Sequence, residues 1–403
     1  MTTPAMFSGV RIIELAQYVF VPGASVLMAD HGAEVIKIET PGTGDPYRTL
    51  RIGDGRETGG INLAMEQNNR NKKSIALDLK SEEGREALLK LVETADVFVT
   101  SLRPKAIRAL RLDVDDLRAR NPKIIYARGN GLGFKGAEAD KPGFDASSFW
   151  ARGGVGHAFT RPGTQPPSPR PAFGDHSGSM ALAFGIASAL FKRATTGEAS
   201  VVETSLLSTA AWVLSSDITY SQSPDYKMHG DGSGRSAPLM QTYSTQDGRL
   251  IQLMLLDPRP HWVPLCNMLD LASIADDSRF NTHEARMENS PELCAILQER
   301  IGAHDWAHWQ PLFDSWQAPW ELIRTARDVI TDPQALANEM VFNMNVGNES
   351  VLVVSGPTAF DGRSAPTEPK SAPGMGEHTQ HYLSEIGYTA DEIESLKQRQ
   401  IVQ

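Results

Sequence analysis

The chain is short of cysteine: among 403 residues only Cys266 and Cys294 occur. They lie far apart and without metal-ligand spacing, which excludes a disulfide framework and a thiolate metal knot. Each sits in an apolar helical context that favours an inert buried thiol. No apolar run approaches the roughly 18 residues that a membrane-spanning helix needs. No basic segment followed by an apolar stretch marks a secretory leader, so a cytoplasmic protein is expected. Positive charge is also in deficit, with Lys and Arg at 39 against Asp and Glu at 49 and a net charge of −10. Nucleic acid and anionic membrane both demand a basic footprint, and neither is expected as a partner. A GxSxG nucleophile elbow and an HExxH motif are missing as well.

What is present is an alternation of strand and helix signals over the first 130 residues. VRIIELA (10–16), EVIKIE (34–39), SIALDL (74–79), DVFVTSL (96–102) and KIIYARG (123–129) are apolar, β-branched runs. Between them, Pro22 sits near the start of a helix that Gly32 ends, and Ser81 caps another reaching Ala95. Strands separated by amphipathic helices predict a parallel sheet covered on both faces, an α/β fold of Rossmann-like type. Residues 160–175 read as a surface loop, and a helix rich in small residues is expected from about Ser177 to Arg193. TYSTQDGRLIQLML predicts a hairpin around Asp247-Gly248 in a smaller α+β unit. VLVVSG and the capping box Thr389-Ala-Asp-Glu392 close the chain.

The motif Gly131-Leu-Gly133-Phe-Lys-Gly136 matches a dinucleotide fingerprint literally. It follows a late strand and opens no helix, so a loop is the better reading. His304 with His308, and His378 with His381, have no third ligand in sequence and read as surface histidines. The segment Asn68-Asn-Arg-Asn-Lys-Lys73 gathers cations and short amides beside a strand, as do Arg103, Lys105 and Arg108 further on. Both suit a phosphate-binding pocket at the edge of the sheet. Asp175, in Phe173-Gly174-Asp175-His-Ser-Gly-Ser, places a carboxylate at the mouth of a helix among residues with almost no side chain. A helix N-terminus favours an ionised carboxylate, and small neighbours leave it open to attack an activated acyl group. Taken alone, the same pattern fits an ordinary N-cap.

GVRIIELA (9–16), GAEVIKIETPGTGDPYR (32–48), NKKSIALDLKSEEG (71–84), ADVFVTSLRP (95–104), GFDASS (143–148), GDHSGSM (174–180), GEASVVETSL (197–206) and GEHTQHYLSEIGY (376–388) appear in this order. By these segments the chain resembles the class III CoA-transferases, the family of formyl-CoA:oxalate and carnitine CoA-transferases and of the related 2-methylacyl-CoA racemases. The resemblance implies that Asp175 is the catalytic carboxylate. It would move CoA from an acyl-CoA donor to a free carboxylic acid through anhydride and aspartyl-CoA thioester intermediates. It also implies CoA contacts at Val19, Phe20, Lys72, Lys73, Ser101, Leu102, Arg108 and Asn130. No permanently bound cofactor or metal is expected, coenzyme A serving only as substrate. By the same resemblance the large Rossmann-like domain is built from both chain ends, 1–220 and 331–403, with a small domain at 221–330, in an interlocked homodimer. Gly230 to Gly234 falls where a glycine-rich active-site lid would lie.

Two alternatives stand beside this reading: a 2-methylacyl-CoA racemase or epimerase, and a CoA-binding protein without turnover. The racemases carry a histidine just before the aspartate of the Gly-x-Asp segment. In Gly143-Phe144-Asp145 that position is Phe144, which cannot serve as a second base. Trp150, Phe149 and Phe159, on the way to Asp175, hint at a bulky or apolar acyl group.

Overall fold

A computed structural model describes residues 5–50, 60–161, 163–226 and 237–403. The candidate lid Gly230–Gly234 lies outside the described residues. Two compact units divide the chain, one formed by Met1–Gly230 with Pro333–Gln403 and the other by Asp231–Asp332.

The large unit is organised by six short strands: β1 (Arg11–Leu15), β2 (Glu34–Glu39), β3 (Lys73–Ala76), β4 (Val97–Thr100), β5 (Ile125–Asn130) and β6 (Val201–Ser205). They form one sheet in the order β3-β2-β1-β4-β5-β6. Every pairing is parallel. The order reverses between β1 and β4, and in doubly wound sheets ligands bind outside the carboxyl ends of the strands at that switch point.

Successive strand residues point to opposite faces, so Ile12 and Ile13 enter different cores. Ile12, Val35, Val97, Val99 and Ile125 pack under helices α1 (Phe20–Ala29) and α7 (Phe173–Thr196). Ile13, Ile36, Ile75, Phe98 and Tyr126 pack against α3 (Glu82–Glu93) and, from the chain's end, α16 (Thr379–Glu385) and α17 (Ala390–Gln398). Both faces are covered, which is why the strands carry continuous apolar runs rather than alternation. Ser81 caps α3 through Gly84 N–H, and Thr389 closes the capping box on α17, as their sequences imply. The remaining helices of the amino-terminal part are α2 (Leu63–Asn69), α4 (Pro104–Leu110), α5 (Val114–Arg120), α6 (Val155–Ala158), α8 (Leu206–Val213) and α9 (Ser215–Tyr220). After α15 (Pro333–Ala337), β10 (Val341–Val346) and β11 (Glu349–Val354) form a separate antiparallel pair.

In the smaller unit β7 (Thr242–Ser244), β8 (Leu250–Leu253) and β9 (Trp320–Leu322) form an antiparallel sheet. Its hairpin turns at Gly248, whose φ of +78° only glycine adopts freely. Helices α10 (Trp262–Met268), α11 (His283–Glu288), α12 (Ser290–Gly302), α13 (Trp306–Ser315) and α14 (Ala326–Ile330) follow or flank it. Cys266 is buried here, and burial pushes its thiol up to about 12, which fits an unreactive side chain.

Helix α7 departs from its expected start. It begins at Phe173 rather than near Ser177, so Asp175 stands inside the first turn. The glycines and serines that make this stretch look like a loop are instead the surface on which α1 packs. A Cβ on Gly178 would lie 2.6 Å from the Phe20 ring, and one on Gly129 would lie 2.9 Å from the ring's other side. The small residues let the two helices and the sheet close around Phe20.

Candidate active site

Helices α1 and α7 bring their amino ends together. Ser179 Oγ donates to the carbonyl of Phe20 at 2.6 Å and to that of Asp175 at 2.8 Å, tying the two first turns. The N-cap position of α7 is Ala172, with φ +58° and no capping side chain. The cap comes from elsewhere: both carboxylate oxygens of Asp145 accept the N–H of Gly174, at 3.1 and 3.0 Å, and Asp175 N–H also reaches Asp145. Asp145 opens a π-helical stretch, Asp145–Arg152, in the GFDASS segment. Nothing local in the sequence signals this role of Asp145, since it and Gly174 are 29 residues apart.

With Asp145 as the cap, Asp175 is free of capping duty. Its partly buried carboxylate has no hydrogen-bond partner among the described residues. Burial, and next the like charge of Asp145, raise its pKa to about 7. The expectation that the helix terminus would hold it ionised is therefore corrected. Desolvation and a neighbouring carboxylate outweigh the terminus, whose first N–H groups already face Asp145. His176 turns towards α2, where Nε2 lies 3.2 Å from Asn68 Oδ1. Phe144 is 59 % exposed, and its ring offers no proton.

A second feature adjoins this one along the carboxyl edge of the sheet. A cleft of about 180 Å³ is lined by Leu15, Ala16 and Gln17 after β1, and by Thr40, Gly44 and Asp45 after β2. Ile38 and Glu39 of β2, Leu77, Asp78, Leu79 and Lys80 after β3, and Leu102 and Leu110 beyond β4 complete it. Its place is the switch point between β1 and β4. Lys80 is exposed and without an ion-pair partner among the described residues. Lys80 lies within NKKSIALDLKSEEG, seven residues after Lys73.

That earlier cluster is not the basic pocket it resembles. Lys73 opens β3 at its amino end, away from the cleft. Arg70 is fully buried against Asp30 at 2.6 Å. Lys72 is buried too, its Nζ 2.7 Å from Glu14, 2.9 Å from the carbonyl of Pro22 and 3.2 Å from Asn69 Oδ1. Burial lowers its pKa to about 8 despite Glu14. Lys37 joins the same buried group, 2.9 Å from both Glu14 and Asp45. Glu14 is drawn down to about 2, burial opposing and the two lysines prevailing. These charges fasten β1, β2, α1 and α2 together. A run of cations before a strand looks the same in sequence whether it folds into such a knot or into an open pocket.

The other expected contacts divide. Leu102 lines the cleft, and Ser101 Oγ accepts the N–H of Gln17 at 3.0 Å, fixing the β1–α1 turn. Val19 and Phe20 have buried side chains, so only their backbone is available, at the amino end of α1. Arg108 is exposed and 3.4 Å from Asp140. Asn130 bonds the loop after β5, donating to Gly133 O at 2.8 Å and accepting Gly133 N–H at 2.6 Å. The literal GxGxxG is therefore a loop pinned by its own asparagine, and no helix follows it directly. Phe149 is fully buried in the core, while Trp150 stacks on Phe159 at 5.9 Å.

The chain is thus an α/β protein of the doubly wound type, with a cleft at its switch point and, in the first turn of a helix, a carboxylate without a hydrogen-bond partner among the described residues. The model of CoA-transferase family III matches residues 7–379, and the chain belongs to that family. It is a CoA-transferase, of the class acting on acyl-CoA and carboxylic acids. The cinnamoyl-CoA:phenyllactate CoA-transferase of Clostridium sporogenes is 35 % identical, across 97 % of this chain and 96 % of its own length. The (R)-2-hydroxy-4-methylpentanoate CoA-transferase of Clostridioides difficile is 34 % identical, across 98 % and 99 %. Among solved structures, a crystal form of Rv3272 from Mycobacterium tuberculosis superposes with a TM-score of 0.81 at 28 % identity, covering 94 % of this chain and all of that one. A CAIB/BAIF family protein from Brucella suis does so with a TM-score of 0.81 at 28 % identity, over 95 % of this chain and 100 % of its own.

Proposed function

We propose that Asp175 is the nucleophile and that the enzyme works by covalent exchange without water. The carboxylate oxygen attacks the donor thioester, and CoA leaves as thiolate from an acyl-aspartyl anhydride. The thiolate returns to the aspartyl carbonyl, releasing the donor's carboxylate and leaving an aspartyl-CoA thioester. The acceptor carboxylate attacks that thioester, forming a second anhydride and freeing CoA thiolate again. Attack of the thiolate on the acceptor's acyl carbon gives the new thioester and restores Asp175. One thioester replaces another, so the exchange is nearly balanced in energy, and no proton or metal is required. Both anhydrides are destroyed by water, which gives the enclosed position its purpose.

The observation that carries this reading is the free carboxylate of Asp175, relieved of capping by Asp145. A nucleophile with a pKa of about 7 keeps a large anionic fraction at neutral pH and is more basic than an ordinary aspartate. The amino end of α1, at Val19 and Phe20, supplies backbone N–H groups for the oxyanion of each tetrahedral step. The nucleotide end of CoA would lie in the cleft from Gln17 to Leu102, with Lys80 and Arg108 as its phosphate partners. Lys72 and Lys73 would then act from behind, through the fold rather than by contact.

The racemase reading has no support from Phe144. The functional unit would be a homodimer, in keeping with the exposed Phe184, Phe191 and Trp212, which are 75 %, 71 % and 80 % accessible on α7 and α8. Mass spectrometry of the Asp175 peptide after mixing with a panel of acyl-CoA donors tests the chemistry. A CoA or acyl adduct that disappears in Asp175→Ala is expected. Binding of CoA esters with Asp175 never modified would overturn the covalent mechanism.

A further inference from the structure

Three aromatic side chains converge beside the nucleophile. Tyr18 follows Gln17, which lines the cleft, and its backbone has φ +65°, an unusual conformation for a bulky residue. Asp45 holds it there, accepting the Tyr18 N–H at 3.2 Å and the Tyr47 N–H at 2.9 Å. Lys37 in turn anchors Asp45 from the buried knot. The Tyr18 ring meets Tyr47 at 6.3 Å and Phe144 edge-on at 5.4 Å. Tyr47 is buried and close enough to Asp175 to feel its charge, while Phe144 adjoins Asp145 in sequence. Phe144 nonetheless leaves 59 % of its surface open, which a phenyl ring does at a cost unless something apolar covers it.

Four described cations close to these rings are engaged, while Lys80 stands free in the adjoining cleft. Arg48 pairs with Glu39 at 2.6 Å, Lys37 with Glu14 and Asp45, Lys72 with Glu14, and Arg70 with Asp30. A substrate carrying a second carboxylate would find two acidic neighbours, Asp145 and Asp175, and no free partner among these groups.

We propose that Tyr18, Tyr47 and Phe144 form the subsite for the transferred acid's side chain, and that this side chain is an uncharged aryl or branched alkyl group. The inference rests on Asp175 being the reacting carboxylate. Tyr18 and Phe144 cover the apolar group with their rings, while the buried Tyr47 supports the Tyr18 ring from behind. Discrimination then has two sources: apolar contact with the rings and rejection of the second negative charge.

The test has a kinetic arm and a binding arm. Transfer from one donor to 3-phenylpropanoate, 4-methylpentanoate, succinate and glutarate is measured in the native enzyme and in Phe144→Ala and Tyr18→Ala. The apolar acids are expected to exceed the dicarboxylates in kcat/KM by at least about tenfold, and each variant to reduce that ratio about tenfold. In the binding arm, Kd values of 3-phenylpropanoyl-CoA and glutaryl-CoA are compared in Asp175→Ala with and without Phe144→Ala. The added substitution is expected to weaken the aryl ester alone. Glutarate used as well as 3-phenylpropanoate, or ratios unmoved by both ring deletions, would overturn the subsite. The binding arm needs no chemistry at Asp175, so loss of the adduct on that residue overturns the mechanism separately from the subsite.

Discussion

At Asp175 two local effects point in opposite directions, and their sizes decide which prevails. A helix terminus stabilises a nearby anion by about 0.3–1 kcal/mol. Moving a carboxyl from its ordinary 3.8 to about 7 reflects an opposing influence several times larger. The folded protein then holds this proton more tightly than the unfolded chain does. Stability on this account is highest below about pH 4 and falls as pH rises towards 7. Asp175→Asn should therefore stabilise the protein above pH 7, by as much as ~4 kcal/mol, and do nothing below pH 4. Chemical denaturation at the two pH values measures this, and an equal gain at both would contradict it. Activity has the complementary dependence: kcat/KM for the donor should rise through an apparent pKa near 7 as the nucleophile ionises. Asp145→Asn keeps a capping oxygen but removes the like charge, so that limb should move to lower pH. A limb that stays in place would show that Asp145 acts as a cap alone.

Among the elements, α7 ties its packing to its chemistry. The same small residues that make its sequence look like a loop allow α1 to approach and Phe20 to seat between Gly129 and Gly178. Gly178→Ala should force the ring or the helix to shift, at a cost of about 1–3 kcal/mol. Because Asp175 lies one turn away, kcat should fall by more than the lost stability explains at a temperature where the variant is fully folded. A variant of full activity would mean that the first turn is set by Asp145 alone. The buried knot beneath the β1–α1 turn gives a second test. Glu14→Gln leaves Lys72 without its carboxylate partner and should destabilise by about 3–5 kcal/mol. Denaturant titration measures it, and a change below 1 kcal/mol would mean that the remaining carbonyl partners suffice. The sequence made these elements legible because strand runs, Ser81, Thr389 and Gly248 act over a few residues. It misplaced the start of α7, whose cap lies 29 residues away in Asp145.

For the whole molecule, the proposed homodimer has a direct consequence. If the exposed aromatic faces of α7 and α8 are covered by a second copy, folding and association are coupled. The thermal midpoint should then climb as protein concentration is raised a hundredfold, and sedimentation should report about twice 44.0 kDa. A concentration-independent midpoint with a 44.0 kDa particle would refute the dimer. Among the described residues no helix is long and apolar enough to cross a membrane.

The sequence by itself determined the α/β alternation and the family, since apolar periodicity, caps and ordered motif segments are local and survive in one dimension. Only the tertiary structure decided which charges are available. Lys72 and Lys80 are equivalent as letters beside one strand, yet one is sealed against Glu14 while the other stands free at the cleft. It also decided that Asp145 caps α7 and raises Asp175, and that the rings of Tyr18, Tyr47 and Phe144 meet while Phe149 packs against Gly174 in the first turn of α7. Desolvation and charge–charge interaction depend on distance through space, and that distance exists only once the chain has folded.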